Sequence, residues 1–428
     1  MGLVRRRARR RERRRDRHRG RSCQALASHD DPARTAASGR SCAPRLRDRQ
    51  NPMTSAAGRP ETSLRSAVAV PSASRRPALG RRVVDVVDDR MGIKALDYPV
   101  PAHANTLAWS LGGLTAVSLG VLIITGVLLV QFYIPDPTQA NQSVRSLTTE
   151  VPGGAFVRGI HFWAAQSMYV LAGLHLIRVF LTSSYKKPRE GNWLVGVAMF
   201  ALTFVAIFTG TVLKWDQEGF EALGHNVESA KELGAAGWWF TPTFAPDTPI
   251  LTRVYGAHVV LIPGLILLLL FVHVLLIKRH RISPHPLLPD EGTGQAPARE
   301  ATEPFTRHLR RISAFGLVLI GILALLTLVR PPGVGTPPVE GVEFTRPMWP
   351  FWPMFTLENW LGVSGILWGG AGLFGVLALV PFVDRNPARH PRHRKVALTL
   401  GALFLLGYVV LTVLMLVLPA KEHLEMGM

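Results

Sequence analysis

Seven long apolar stretches alternate with polar segments from residue 106 almost to the end of the chain. They cover roughly residues 106–133, 159–182, 193–213, 254–278, 313–329, 361–382 and 397–418. An α-helix needs about 20 predominantly apolar residues to cross the hydrocarbon core of a bilayer, and each stretch is close to that length. The pattern therefore predicts seven membrane-spanning helices and an all-α integral membrane protein.

The polar segments differ in charge, and this difference orients the predicted helices. Lysine and arginine are concentrated after the second, fourth and sixth stretches, at 186–189, 278–281, 307–311 and 385–395. If every stretch crosses, these segments and the basic N terminus lie on one side, which the positive-inside rule assigns to the cytoplasm. We therefore expect a protein of the bacterial cytoplasmic (inner) membrane, with its N terminus cytoplasmic and its C terminus on the outer side.

The N-terminal region differs from the rest in composition. Residues 1–50 contain 17 arginines and five acidic residues, which supply +12 of the formal net charge of +20. Because most of the positive charge lies in this low-complexity tail, the basic character of the chain does not indicate a nucleic-acid partner. We expect residues 1–78 to be a disordered Arg-rich tail and linker, partly mistranslated if the true start is Met53 or Met91. Charged and apolar positions alternate at helical spacing before the first stretch, so residues 79–104 are predicted to be an interfacial amphipathic segment, although a soluble linker helix fits equally.

Four of the 14 histidines lie inside apolar stretches, two on the second and two on the fourth. His161 and His175 are 14 residues apart and His258 and His273 are 15 apart, so each pair is separated by close to four helical turns and stays on nearly one face. Because both helices are predicted to run in the same direction, His161 and His258 share the outer level, and His175 and His273 share the inner level. Intramembrane histidines are functional by default, although each could instead hydrogen-bond a neighbouring helix.

Two facing imidazoles at one depth can hold one metal centre. Both cysteines, Cys23 and Cys42, lie in the N-terminal tail, so the body of the chain has no thiolate ligands. Zinc would require more ligands than two histidines, whereas haem iron is commonly held by paired axial ligands. The sequence therefore favours two haems, each between two histidines, in a four-helix bundle.

Glycines on the first and third stretches support this prediction. They occur fourteen residues apart, as Gly112 and Gly126 and as Gly196 and Gly210, at depths that match the two histidine levels. A porphyrin needs helix backbones that approach without intervening side chains, which glycine allows. Ordinary packing of small residues would also explain these glycines.

Several segments resemble the cytochrome b / cytochrome b6 family. ITGVLLVQFYIPDP, LHLIRVFLTSSYKKPRE and FTGTVLKWDQ are similar to the ends of its first three helices, LTRVYGAH to the start of its fourth, and PFVDRNPARHP to a loop of its C-terminal half. The resemblance covers nearly everything from about residue 80 to residue 418. It implies a b6-like dihaem four-helix domain at residues 105–285, fused to a subunit IV-like three-helix domain at residues 286–428.

The resemblance implies the dihaem cytochrome b subunit of a membrane quinol:cytochrome c oxidoreductase of the bc/b6f type. Its two non-covalent b-type haems would carry electrons between quinone sites on the two membrane faces. A Rieske iron–sulfur protein, a c-type cytochrome and a second copy of the chain would be its partners. Arg158 and Arg253 match family arginines near haem propionates, although arginines are also common at a membrane interface.

The chain departs from the family at two places. Ser110, in AWSLGG, stands where b6 has a cysteine that tethers an extra haem, so no covalent haem is expected. RPMWPFWPMF, residues 346–355, stands where the family has Pro-Glu-Trp-Tyr, and Met348 replaces the glutamate. That glutamate is expected to accept a proton from quinol, which methionine cannot do.

Other residues of the same region are candidates for the quinol site. Pro347 and Trp349 fit the motif, and Glu343, five residues before Met348, could be aimed at the same pocket by a folded loop. Glu358 is a second candidate for the missing carboxylate, but we expect it to begin the next helix and to lie at its N terminus, where a carboxylate is favoured anyway.

Two other functions remain open. The haems could form a transmembrane conduit to a multihaem cytochrome without bifurcated quinol oxidation. The chain could also be a seven-span transporter whose histidines relay protons. A transporter predicts no porphyrin spectrum and often shows internal repeats, and the two halves of this chain show none.

Overall fold

The computed structural model describes residues 85–90, 97–288 and 300–418. In chain order the main helices are α1 Leu107–Leu129, α2 Ala140–Thr149, α3 Gly154–Leu181, α4 Glu190–Val212, α5 Gln217–Glu232, α6 Ile250–His280, α7 Phe305–Val329, α8 Trp352–Leu361, α9 Ser364–Val383 and α10 Lys395–Val417. Seven of them, all except α2, α5 and α8, are long and apolar enough to cross a membrane, which confirms the predicted number of spans.

Shorter elements connect the helices. Strand β1 (Pro99–Pro101) pairs antiparallel with β2 (Thr302–Pro304), so the segments that precede α1 and α7 are joined. The predicted interfacial segment is helical over residues 85–90, but it ends in β1 and a 3-10 turn at Ala102–Asn105, because the prolines of β1 cannot donate the hydrogen bonds of a helix interior. Further 3-10 turns lie at Gly234–Ala236, Trp238–Phe240, Pro242–Phe244, Trp349–Phe351 and Pro391–His393. The tail predicted at residues 1–78 lies outside the described residues.

Four helices form a bundle in which α1 packs along α3 and α4 packs along α6. Its middle is filled by a buried apolar cluster that consists of Leu119, Met168, Ile262 and Ile266. Met168 lies seven residues after His161 and seven before His175, so this central cluster separates the two histidine levels. Outside the bundle, α7 packs on α1 and α3, α9 packs on α4, and α10 packs against α8.

Two of the connecting loops are joined by a buried ion network. The Asp384 carboxylate lies 3.1 Å from the Arg394 guanidinium and 3.3 Å from the Lys186 ammonium. Tyr185 donates a hydrogen bond to the same carboxylate and accepts one from Arg394 at 2.7 Å. Burial opposes ionisation of Asp384, but the Tyr185 hydrogen bond and the two cations outweigh it and hold its pKa below the ordinary value. A charged Asp384 thus ties the α9–α10 loop to the α3–α4 loop.

Replacing Asp384 by asparagine should destabilise the protein, because Arg394, whose side chain is fully buried, would lose its anion. Breaking a buried ion pair costs on the order of 3–5 kcal/mol. Thermal unfolding in detergent, followed by loss of helical circular dichroism, measures the effect. Asp247→Asn, in an exposed part of the α5–α6 loop, is the control and should unfold at the wild-type temperature. Equal unfolding temperatures for all three proteins would contradict the assignment.

Candidate functional site

The four predicted histidines lie in two pairs, one on each side of the central cluster. His161 of α3 and His258 of α6 form the first level, with ring centroids 6.4 Å apart and ring planes at 60°. His175 of α3 and His273 of α6 form the second level, beside Gly112 and Gly196, respectively. Across residues 85–90, 97–288 and 300–418, no group of three or more His, Cys, Asp or Glu side chains could hold a metal ion. Each level offers two imidazoles, a donor set that suits haem iron.

Each predicted glycine faces a histidine ring of its own level. A Cβ atom built on Gly112 would lie 2.9 Å from Cε1 of His175, and one built on Gly210 would lie 3.1 Å from Cε1 of His258. The corresponding distances are 3.5 Å from Gly126 to His161 and 3.7 Å from Gly196 to His273. At the two shortest distances a side chain would push the imidazole aside. The glycines therefore leave gaps beside the rings, and these gaps together with the paired donors fit a flat, apolar group between the helices.

Two threonines, which the sequence analysis missed, orient the first-level histidines. Thr125 Oγ1 lies 2.9 Å from Nδ1 of His161, and Thr209 Oγ1 lies 2.9 Å from Nδ1 of His258. Each hydroxyl already donates its hydrogen to a backbone carbonyl of its own helix. It must therefore accept the Nδ1–H of the histidine, which leaves Nε2 unprotonated and available to a metal. The signal in the sequence is a Thr-Gly pair at the same level of α1 and α4.

A π turn in α6 explains how His258 and His273 share one face despite their fifteen-residue spacing. In a continuous α-helix fifteen residues end roughly 60° past a whole number of turns, and fourteen residues end about 40° short of one. The π turn at Ala257–Leu261 contains His258 and takes up one extra residue. Pro263 favours it, because proline lacks the N–H that an α-helix would bond to the Val259 carbonyl. The spacing on α6 thereby becomes equivalent to that on α3.

Arg178 is a cation of the second level that the sequence analysis did not identify. Its guanidinium lies 3.2 Å from Nδ1 of His175 and 4.5 Å from the ring centroid of Trp109. Its Nε is buried and has no hydrogen-bond partner among the described residues. Because arginine can only donate, ligation of a metal through Nε2 of His175 requires Arg178 to release Nδ1. On α1, the Ser110 hydroxyl is buried and donates to the carbonyl of Thr106, the residue before that helix, at 2.9 Å.

The two predicted propionate arginines bind loop carbonyls at the first-level end of the bundle. Arg158 donates to two carbonyls of the loop after α7, at 2.7 Å each. Arg253 donates to the carbonyls of Trp239 and Thr241 at 2.6 and 2.7 Å. Both side chains therefore brace the loops that cover this end, and their role beside a propionate remains a prediction.

Met348 and Trp349 are held against α3 by a buried glutamine. Trp349 Nε1 donates to Oε1 of Gln166 at 2.7 Å, and Gln166 Nε2 donates to the Met348 sulfur at 3.2 Å. The Pro347 carbonyl accepts a hydrogen bond from Trp352 Nε1 at 2.7 Å. Met348 and Trp349 also pack against aromatic side chains of α3 and α4. The segment thus presents a fixed, largely apolar surface, which we call the Met348–Trp349 surface.

Glu343 and Glu358 meet at His225, a residue of α5 that the sequence analysis did not identify. His225 Nε2 lies 3.2 Å from Oε1 of Glu343, and His225 Nδ1 lies 2.9 Å from Oε1 of Glu358. The expected position of Glu358 at a helix N terminus is wrong. Because α8 already begins at Trp352, Glu358 lies in its last turn, where it is 1% exposed and turned towards α5.

The carboxylates control the charge of His225. Burial lowers the pKa of this imidazole, but the hydrogen bonds and negative charges of Glu343 and Glu358 outweigh burial and raise the pKa to about 9. Since the ordinary value is 6.5, the ion pairs stabilise the folded protein fully below pH 6.5 and are lost as the pH rises through about 9. His225 is therefore an imidazolium at neutral pH.

Comparison with known sequences gives concordant matches. The family model described as Cytochrome b/b6/petB matches residues 95–281. A menaquinol:cytochrome c reductase cytochrome b subunit of Geobacillus thermodenitrificans is 35% identical over 218 residues, which cover 47% of this chain and 97% of that protein. A cytochrome b6 of Heliomicrobium gestii is 33% identical over 217 residues, covering 49% and 96% of the two chains. A cytochrome bc complex cytochrome b subunit of Chlorobaculum thiosulfatiphilum is 31% identical over a longer stretch of 311 residues, covering 68% and 70%.

A solved structure also shares the fold. A chain of a structure named "Hyperthermophilic respiratory Complex III" superposes with a TM-score of 0.67 and covers 79% of this chain and 92% of its own length. The sequences are 22% identical, so this likeness concerns the arrangement of helices.

Replacing Thr125 or Thr209 by valine should weaken retention of a haem at the first level, because the Nδ1–H of the facing histidine would lose its acceptor. Loss of such a partner typically costs about 10–100-fold in metal affinity. The measurement is the rate at which haem passes from purified protein to excess apomyoglobin. Thr203→Val is the matched control on α4, since the Thr203 hydroxyl bonds the Met199 carbonyl of its own helix. Wild-type rates in both first-level variants would contradict the orienting role.

Proposed function

Because the chain belongs to the cytochrome b/b6 family, we propose that it is the dihaem cytochrome b subunit of a bc/b6f-type quinol:cytochrome c oxidoreductase. The observation that carries this proposal is the pairing of four histidines at two depths of one bundle, each histidine beside a glycine. The names of the Geobacillus and Chlorobaculum relatives support a subunit of such an oxidoreductase complex.

The histidines would hold two b-type haems, one at each level. Haem supplies iron that exchanges single electrons, with a potential set by its ligands and surroundings. The chain's own contribution begins with Thr125 and Thr209, which keep the first-level rings in the ligating tautomer. The central cluster keeps water out of the space between the levels. Arg178, with its unfilled donor, is placed to receive an anionic substituent at the second level.

We place quinol oxidation at the Met348–Trp349 surface. Gln166 fixes this surface against α3, the helix that also carries His161, so a bound quinol ring would lie beside the first level. Pro347 and Trp349 would shape the pocket, and Glu343 would take up a proton. Oxidation of one quinol releases two protons and two electrons; a Rieske iron–sulfur protein would accept one electron, and the other would cross the bundle to a quinone on the opposite face.

A second function is favoured by one observation at the same place. The Met348 sulfur, where the family has a carboxylate, accepts a hydrogen bond from Gln166 and cannot take a proton. A bundle that carries electrons between the membrane faces without bifurcated oxidation would need no acceptor there. In that case the chain is a conduit to a multihaem cytochrome.

The orientation in the membrane follows from charge. The basic loops are placed in the bacterial cytoplasm, which puts the N terminus there, the C terminus outside and the first level near the outer face. The partners of the chain would then be lipid, quinone, a Rieske protein and a c-type cytochrome, and the subunit would act as a homodimer within the complex. Nucleic acid is not a partner of this assembly.

Purified protein should release two haems per polypeptide on acid extraction, because four ligands at two depths form two sites. His161→Ala should release one, with the second-level haem retained. The pyridine haemochrome spectrum gives the amount of haem, and amino-acid analysis gives the amount of protein. His393→Ala, in an exposed turn before α10, is the control and should keep both haems. A wild-type ratio of one or zero would contradict the proposal.

Quinol added to membranes should reduce the first-level haem in the wild type and faster in Met348→Glu, because that variant supplies a carboxylate at the motif position. Absorbance at the haem α-band, followed after mixing and normalised to dithionite-reduced haem, is the measurement. If the wild type shows no quinol-dependent reduction while the second-level haem still exchanges electrons with quinone, the conduit function is correct instead.

A further inference from the structure

Three buried ionisable side chains from three different elements form one cluster on the loop side of the bundle. His225 comes from α5, Glu343 from the loop after α7 and Glu358 from α8. Each ring nitrogen of His225 lies within 3.2 Å of a carboxylate oxygen, which suits an imidazolium that carries hydrogen on both nitrogens. One imidazolium between two carboxylates gives the cluster a net charge of −1.

The two carboxylates of the cluster differ in their exposure to solvent. Glu343 is 10% exposed, whereas Glu358 is 1% exposed. Both oxygens of Glu358 are buried and have no hydrogen-bond partner of good geometry among the described residues, although Oε1 lies 2.9 Å from Nδ1 of His225. An unpaired buried acceptor is unfavourable, and a proton on this carboxyl would remove the charge that makes it so. Glu343 is therefore the accessible end of the cluster, and Glu358 is a buried position that can hold a proton.

The loop that carries Glu343 is fixed rather than adaptable. Glu221, one turn before His225 on α5, accepts hydrogen bonds from the backbone N–H groups of Phe344 and Thr345 at 2.9 and 3.0 Å. Gln217, one further turn back, donates to the Val342 carbonyl at 2.8 Å. These contacts bind the backbone on both sides of Glu343 to α5, so its carboxylate is positioned before any ligand arrives.

Phe355 connects the cluster to the Met348–Trp349 surface. Its ring meets the His225 ring edge to face, with centroids 4.9 Å apart. It also packs in the same apolar cluster as Met348 and Trp349. The ionisable groups therefore border the place where the proposed function requires a proton acceptor.

Few other charges face His225. On its own helix, Glu221 is one turn away and accepts hydrogen bonds from the loop backbone, and Glu228, one turn later, is paired with Lys231 at 2.5 Å. Of the other helices that pack against α5, α9 has no titratable residue, and the one titratable residue of α4, Glu190, lies at its opposite end. Arg346, three residues after Glu343, is exposed. The charge of the cluster is thus determined by His225, Glu343 and Glu358.

We propose that His225, Glu343 and Glu358 form a proton relay, the His225 relay, which takes one proton from a quinol bound at the Met348–Trp349 surface. This inference rests on the proposed function, since it requires a quinol there. The quinol O–H bond breaks and a new O–H bond forms on Glu343. The electrons leave the quinol one at a time to the acceptors named above, the haem and the iron–sulfur centre, and the second proton leaves by another route.

The imidazolium responds by giving up a proton of its own. The quinol proton stays on Glu343, because Nε2 of His225 already carries hydrogen, and Nδ1 gives its hydrogen to Glu358 across the existing contact of 2.9 Å. The cluster changes from a net charge of −1 to neutral and then consists of a neutral imidazole between two protonated carboxyls, of which Glu358 is the more buried.

The relay is tested in membranes that contain the full chain with its haems, using decylubiquinol and menadiol as separate probes. Glu343→Gln, and the double variant with Glu358→Gln, should slow quinol-dependent haem reduction by about 100-fold or more, the usual contribution of a positioned proton acceptor. Glu343→Asp, which keeps a carboxylate, should be faster than Glu343→Gln. Glu340→Gln, an exposed glutamate of the same loop, is the matched control and should react at the wild-type rate.

A second readout does not depend on turnover. Infrared difference spectra of purified protein between neutral and acidic pH should show the carbonyl stretch of a protonated, buried carboxyl in the wild type and not in the double variant. Haem content and the dithionite-reduced spectrum show whether each variant is folded. Glu343→Gln changes a partly accessible group and is the variant to use if the double variant loses haem.

The outcomes separate the two proposals. If the wild type is reduced by quinol and the glutamine variants are reduced at the same rate, the relay is wrong and the proposed function stands. The same holds if the infrared carbonyl band is identical in wild type and double variant. If dithionite but neither quinol reduces the wild type, the proposed function fails and the relay fails with it.

Discussion

The hydrogen bond from Nδ1–H of each first-level histidine to a threonine hydroxyl constrains the orientation of the imidazole and the packing of the helices beside it. In a hydrocarbon interior a polar group without a partner is costly, so an imidazole there must place its hydrogen on a defined acceptor. Thr125 and Thr209 act as acceptors towards the histidines because their own hydrogens are given to helix carbonyls. The acceptor must also stand close to the ring, which requires the next residue, Gly126 or Gly210, to have no side chain in the way. Tautomer, ring orientation and helix separation are thus set by the same Thr-Gly pair.

The requirement for two levels on one face explains the irregular geometry of α6. Its fifteen-residue spacing would rotate His273 away from the bundle axis if the helix were continuous. The π turn at Ala257–Leu261 absorbs the extra residue at the ligand itself, and Pro263 supplies the local cause. In α3 the spacing of fourteen needs no such correction, and the helix is continuous from Gly154 to Leu181. Two helices of different sequence therefore present equivalent pairs of histidines by different backbone geometry.

The features that depend on periodicity could be read from the sequence, and those that depend on contact between distant segments could not. The seven spans, the histidine pairs and the glycines that face them all follow from apolar length and helical spacing. Thr125 and Thr209 left a repeated dipeptide as a signal, but their function appears only when the second hydrogen bond of each hydroxyl is known. His225 left no signal, because it lies 118 residues from Glu343 and 133 from Glu358 and its helix is one of the loop helices. The position of Glu358 was misjudged because Trp352 and Pro353 begin a separate helix, α8, six residues before Glu358.

The distribution of ionisable groups around the Met348–Trp349 surface has a physical rationale. The side chain of Met348 packs against aromatic side chains of α3 and α4. The thioether of Met348 is compatible with those rings and still accepts a hydrogen bond from Gln166. The carboxylates instead lie behind Phe355, where an imidazolium compensates their charge and α5 supplies backbone anchors for the loop. The ring of Phe355 thus separates the ionisable cluster from the apolar Met348–Trp349 surface. The surface can therefore be shaped for a ring-like ligand, while the cluster beside it keeps the charge that a proton acceptor needs.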